Sequence, residues 1–246
     1  MTVINSLSLY ITATTNSDLC WNLVYMLSAS EIDEFISAIK NLTVTLNSNT
    51  SFILIQPSDL FGGTTDFLGA YFMHNVGGGM INSFSENSIR SDSITAAAIL
   101  PGESLVNVIL VRMFIIDTPT MYQNMNKSNE TTLVSSVIVV SVERNSSTLI
   151  PMNISLVFRL LDQYRSTINV VYSCAFYDLT TGQWNKSGCS EPVYNIRLNR
   201  YECNCNHLST FGLISSPVIT SCPSPNEIIW INDTCISNAE AQVRYG

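Results

Sequence analysis

The spacing of apolar positions changes from helical to alternating near residue 52. Before it, Ile32, Phe35, Ile36 and Ile39 recur at three- and four-residue steps, as one buried face of a helix requires. Ser28 or Ser30 stands where an N-cap belongs. Glu31 and Glu34 fall in the first turn, where carboxylates meet the positive end of the helix dipole. Beyond it come short β-branched runs at 51–55, 93–100, 106–116, 133–142, 152–160 and 168–172, divided by polar turns such as Asp117-Thr118-Pro119 and Arg144-Asn145-Ser146-Ser147. Short, regularly spaced strands of this kind predict a β-sandwich. The expected architecture is therefore mainly β, a twisted antiparallel sandwich behind a short helical N-terminal part. Gly77, Gly78 and Gly79 lack the lysine and the following helix pattern of a phosphate loop, and we expect a flexible loop there.

Composition narrows the setting. Of 246 residues, 46% are hydrophobic and only 12% charged, about half the usual charged fraction. The formal net charge is −8, which repels phosphate backbones and excludes nucleic acid as a partner. The apolar runs at 105–116 and 133–142 fall short of the ~20 residues a helical membrane span needs. The N-terminus lacks the basic region of a signal peptide. Asn-X-Ser/Thr sequons at Asn41, Asn49, Asn126, Asn129, Asn145, Asn153, Asn185 and Asn232 are a mild excess over chance and point to an extracellular setting. Six of the seven cysteines follow residue 170, in short loops as in secreted domains.

The chemistry concentrates between Cys174 and Ile214. His207 precedes Ser209 by two residues, with the Leu208–Ser209 peptide bond between them. The Ser209 hydroxyl can attack the Leu208 carbonyl and convert the amide to an ester, which water then hydrolyses. Amide resonance opposes this in a relaxed chain. A strained turn, with His207 taking the hydroxyl proton, makes it feasible. We expect Cys203 and Cys205 to project to opposite faces of a strand and bond different partners, with Cys174 and Cys189 available. Phe211 and Leu213 alternate as in a strand with one buried face. A Cys-X-Cys-X-His cluster can also bind zinc, but the alternate spacing along a strand favours bridges, and no metal site is expected.

The series Cys174-X-Phe-X-Asp, Trp184, Gly188-Cys189 and Cys203-X-Cys205-X-His207-Leu208-Ser209-X-Phe211 closely resembles the GPCR proteolysis site (GPS) motif. That motif ends the GAIN domain of adhesion G-protein-coupled receptors and polycystin-1-like proteins. Weaker similarity extends upstream through Ile99-Leu100-Pro101, through 133–138 and through 152–161. The resemblance implies self-cleavage between Leu208 and Ser209, with His207 as base and Ser209 as nucleophile, in a single turnover without a cofactor. It implies bridges Cys174–Cys203 and Cys189–Cys205. It also implies a noncovalent complex with the chain's own C-terminal fragment, whose first strand serves adhesion receptors as a tethered agonist.

On this resemblance, 1–55 is a short, reduced or truncated subdomain A. Residues 56–214 are subdomain B, with the GPS motif at 174–214, and 215–246 are a cysteine-containing juxtamembrane tail. The expected location is the extracellular side of a membrane, with a membrane-embedded remainder of the host beyond Gly246 and an unidentified extracellular ligand. Tyr177 replaces the motif's first tryptophan. The tail holds Cys222 and Cys235, expected to bridge, and leaves Cys20 as the odd thiol. Its length before any span fits a polycystin-like host slightly better. The alternative is a GAIN-like structural or adhesive ectodomain that does not cleave. A third reading, a sugar-binding sandwich, needs a groove of exposed aromatics, and Trp21, Trp184 and Trp230 do not cluster in sequence. Asp178 and Glu202 are candidates to orient His207.

Overall fold

A computed structural model describes residues 44–58, 66–82, 90–117, 119, 122, 131–145, 152–165, 170–217, 227–231 and 234–237. The expected helix at 28–39 lies outside them. Sixteen strands are assigned among the described residues: β1 Val44–Asn47, β2 Ser51–Pro57, β3 Phe67–Met73, β4 Gly77–Asn82, β5 Ile94–Pro101, β6 Val108–Ile116, β7 Thr132–Leu133, β8 Val137–Arg144, β9 Ile154–Phe158, β10 Val170–Asp178, β11 Gln183–Asn185, β12 Val193–Asn195, β13 Arg200–Cys205, β14 Thr210–Pro217, β15 Glu227–Ile231 and β16 Thr234–Ser237.

The strands form a β-sandwich, as the alternating pattern predicts. One sheet has the order β1-β2-β6-β8-β14-β10-β11, with β7 beside β14; the other runs β12-β13-β9-β5-β3-β4. All the pairings are antiparallel. Among the described residues strand pairing starts at Val44, so 44–55 belongs to the sandwich rather than to a helical part. β15 and β16 form a separate hairpin within the tail.

Alternation explains the core. Phe52, Met113, Ile138 and Phe211 from the first sheet meet Phe72, Ala98, Leu156 and Phe158 from the second in one cluster. β2 and β6 are buried on both faces, since Ile53, Ile55, Phe114 and Ile116 are as inaccessible as their neighbours. This is why they read as continuous apolar runs.

The glycine run is a correction. Gly77, Gly78 and Gly79 open strand β4, paired with Met73, Phe72 and Tyr71. A Cβ on Gly78 would lie 2.4 Å from Phe52 Cγ, and one on Gly79 2.7 Å from Tyr71 Oη. The glycines therefore let β4 lie against large rings, where any side chain would collide.

Candidate functional site: the turn after a stapled strand

Strand β13 delivers the site. Cys203 and Cys205 are buried, at 4% and 2% exposure, while Asn204 between them is exposed. Residues two apart on a strand share a face, so both cysteines point inward, not to opposite faces. Each nonetheless has its own partner. Cys203 bonds Cys174 on β10 of the opposite sheet, a covalent tie across the sandwich. Cys205 bonds Cys189 in the preceding loop. That loop is also railed to the strand by backbone bonds: Ser190 N–H donates to Asn204 O at 2.7 Å, and Asn206 N–H to Gly188 O at 2.9 Å.

The rail ends beneath His207. Gly188 has φ +75°, the left-handed region that glycine enters without strain. A Cβ there would lie 2.5 Å from Asn206 Oδ1 and 2.8 Å from His207 Nδ1, so only glycine lets the loop pass. The imidazole sits edge-on to Phe176, with centroids 4.6 Å apart, and 5.5 Å from the ring of Phe211. Its Nδ1 is 3.2 Å from Asn206 Oδ1. An amide oxygen only accepts, so this contact places the proton on Nδ1 and leaves the lone pair on Nε2. Nε2 is buried and has no hydrogen-bond partner among the described residues. Burial holds the His207 pKa below its ordinary value, because the charged imidazolium loses more hydration than the neutral ring. The arrangement presents a neutral imidazole with a free basic nitrogen.

The two acidic candidates are engaged elsewhere. Asp178 Oδ1 accepts from Thr180 N–H and Oγ1, at 2.9 and 2.6 Å. Glu202 Oε1 accepts from Arg200 Nε at 2.7 Å and from Asn195 Nδ2 at 3.1 Å. His207 is positioned by Asn206, Gly188 and two phenyl rings. In the sequence, Phe176, Gly188 and Phe211 stand at fixed positions of the motif, whereas Asn206 falls at a variable one.

Ser209 is half-buried, and its carbonyl accepts from Val140 N–H at 3.0 Å. Neither imidazole nitrogen is hydrogen-bonded to Ser209 Oγ. Positive φ occurs among non-glycine residues at Asn75, Asn107 and Asn199, not at the His207–Ser209 turn. The expected strain therefore takes no left-handed form there.

β14 begins at the next residue and lies inside its sheet. On one side it pairs with β10 from Phe211 opposite Phe176 to Pro217 opposite Val170. On the other it pairs with β8 and then β7. Phe211, Leu213 and Ile214 are 0–1% exposed. Trp184 lies over Gly212, where a Cβ would come within 3.0 Å of the indole. Tyr177, in the place of the motif's first tryptophan, meets Trp184 edge-on at 5.5 Å.

Of the sequons, Asn49, Asn145, Asn153 and Asn185 are exposed; Asn41, Asn126, Asn129 and Asn232 lie outside the described residues. Cys20 and Cys222 also lie outside them, so the structure describes no Cys222–Cys235 pair. Among the described residues no group of His, Cys, Asp and Glu is arranged to hold a metal. No helix among them is long and apolar enough to cross a membrane.

A family model described as GPS: GAIN subdomain B matches residues 40–218. The chain belongs to the GAIN family. Its match starts upstream of β1 and ends just past β14, so it encloses both sheets and the His207–Ser209 turn. Similar curated proteins are adhesion G-protein-coupled receptors. Human G2 is 26% identical over 71% of this chain and 17% of its own length. Mouse G2 is 28% identical over 56% of the chain and 14% of its own, and human L4 is 30% identical over 58% and 21%. The chain thus spans about a fifth or less of these relatives. Among solved structures, the full extracellular region of zebrafish Gpr126/Adgrg6 aligns with 73% of this chain and 25% of its own, at 22% identity and a TM-score of 0.47.

Proposed function

We propose that this GAIN/GPS module cleaves its own Leu208–Ser209 bond and keeps the C-terminal piece in place as strand β14. The observation that carries the reading is the buried, unpartnered Nε2 of a neutral His207 two residues before Ser209. In the first step His207 Nε2 takes the Ser209 hydroxyl proton as Oγ bonds to the Leu208 carbonyl carbon. The C–N bond then breaks, the imidazolium returns the proton to the departing amine, and Leu208 is left esterified to Ser209 Oγ. Water hydrolyses the ester to a Leu208 carboxylate and a free Ser209 hydroxyl. A rotation that brings Oγ to Nε2 precedes the transfer, since the two are not hydrogen-bonded at rest.

Retention follows from the sheet. Burying Phe211, Leu213 and Ile214 contributes roughly 1.5–3 kcal/mol each, and pairing on both sides of β14 adds to it. Neither bridge spans the cut, because Cys174, Cys189, Cys203 and Cys205 all precede Leu208. The cut piece is therefore held without a covalent bond and becomes a releasable tethered strand. By likeness to the adhesion receptors, the module sits in an extracellular region, glycosylated at exposed sequons. The tail leads towards a membrane-embedded remainder.

The missing His207–Ser209 hydrogen bond supports a second reading, a structural ectodomain that does not cut. Denaturing electrophoresis with intact mass, on the deglycosylated chain beside Ser209→Ala, separates the two. Pieces ending at Leu208 and starting at Ser209, absent in the variant, support cleavage. An intact chain in both leaves the structural reading.

A further inference from the structure

The end of the sandwich opposite His207 carries a cavity that cleavage does not use. It has a volume of about 730 Å³ and lies among the β3–β4 turn, the end of β6 and the segments after β9 and β12. A second compartment of about 330 Å³ shares Arg159, Leu160, Arg165 and Asn199 with it. Each lies in the size range of small-ligand sites.

Charge separates the compartments. In a chain of net charge −8, three of the eleven basic residues, Arg159, Arg165 and Arg197, line the larger one. Among the described residues Arg159 has no carboxylate partner. Its Nη2 donates to the carbonyls of Asp92 and Leu198, which do not neutralise it, and its Nε is buried and unbonded. A partly buried cation without a counter-charge favours an anion beside it. Arg165 holds only the exposed Asp162, at 2.8 Å, a surface pair easily exchanged. Asp117 is committed to His74 and to the Ser136 hydroxyl. Among the described residues the smaller compartment has Arg159 and Arg165 in its wall and no carboxylate.

Its remaining wall is aromatic. Tyr172, Tyr201 and Tyr194 form a ladder with successive centroids 5.0 Å apart, and Tyr194 Oη donates to Asn199 Oδ1 at 2.8 Å. Burial raises the pKa of Tyr172 and Tyr201, keeping both as hydroxyl donors. These tyrosines come from three different strands, β10, β12 and β13, and together form an aromatic wall. Beside them, Asp92, Gln163 and Asn199 give the larger compartment acceptors and amides, which suit a ring whose hydroxyls both donate and accept.

We infer that the double cavity binds an acidic sugar, its carboxylate or sulfate seated between Arg159 and Arg165 and its ring against the tyrosines. The site does not depend on the cut, so its failure and the failure of self-cleavage are separable. The test is calorimetric titration of the whole chain with 3′-sialyllactose, a heparin-derived tetrasaccharide, lactose and a hexaglutamate peptide. At least one acidic sugar is expected to bind saturably at one site, and lactose at least tenfold more weakly. Sialyllactose alone identifies a carboxylate source, and the heparin fragment alone a sulfate source. Arg165→Gln and Tyr194→Ala, both at exposed side chains, should each weaken binding about tenfold, and Ser209→Ala should leave it unchanged. No binding by either acidic sugar, binding indifferent to both site variants, or hexaglutamate binding as tightly as the sugars would overturn the proposal.

Discussion

The chain's two histidines lie at opposite ends of the sandwich and are built in opposite ways. His74 is half-exposed and rests on the carboxylate of Asp117, which is 1% exposed and also accepts from Ser136 and Thr95. His207 has no charged neighbour in hydrogen-bond contact. It is held by Phe176, Phe211, Asn206 and the absent side chain of Gly188. Covalent bridges brace the second end, and a polar network braces the first. An imidazole meant to accept a proton is best kept dry and uncharged, whereas a site meant to hold a charged guest leaves cations unmatched.

The largest effect should come from cutting the staple at the His207 end. Replacing Cys174 and Cys203 together by serine removes the tie between the sheets, at a cost of about 2–5 kcal/mol. The midpoint in urea should fall accordingly, and cleavage on denaturing gels should be lost. Retained cleavage in a folded double variant would show that the bridge does not position the turn. Gly188→Ala comes next. The added methyl meets Asn206 Oδ1 and His207 Nδ1 and forces a non-glycine residue to positive φ, itself worth about 1–2 kcal/mol. Cleavage measured over time after synthesis should slow about tenfold or more, while the urea midpoint moves far less than in the cysteine variant.

Asp117→Asn tests the other end. It removes the charge under His74 and disturbs the bonds from Ser136 and Thr95, so stability should fall by about 1–3 kcal/mol with the extent of cleavage unchanged. A folded Asp117→Asn chain that fails to cut would mean that the two ends are coupled through β6 and β8.

Much of this architecture can be read from the sequence, and the exceptions have physical causes. β5, β6 and β9 show themselves because β-branched residues alternate or run continuously between polar turns. β4 hides because its first three residues are glycines, and their reason lies in Phe52 and Tyr71, far off in sequence. β3 is also missed: Gly69 and Ala70 interrupt its run of large side chains, and its place follows from pairing with β5. The His207–Leu208–Ser209 turn is legible because its elements are local. Phe176, which sets the dielectric around His207, comes from β10 and joins the site only through the β10–β14 register. The sugar cavity has no local signature, since its arginines and tyrosines sit on separate strands and turns.

The smallest expected effect sharpens the contrast most. With His207 as base, the rate of cleavage follows the neutral imidazole. Burial disfavours the charged form and lowers its pKa, so the rate should be level at neutral pH and fall only in acid, with its inflection below 6.5. Phe176→Ala opens the ring to water, makes the imidazolium easier to form and should move the inflection back up towards 6.5. At pH 7 the two chains should then differ little from this cause, and the difference should widen as pH falls below 6.5. The profile is measured by incubating freshly synthesised chain across pH 4.5–8 and quantifying the fragment that begins at Ser209. An inflection above 6.5 in the unaltered chain would mean that a negative charge, not burial, governs His207. The two histidines would then be built alike.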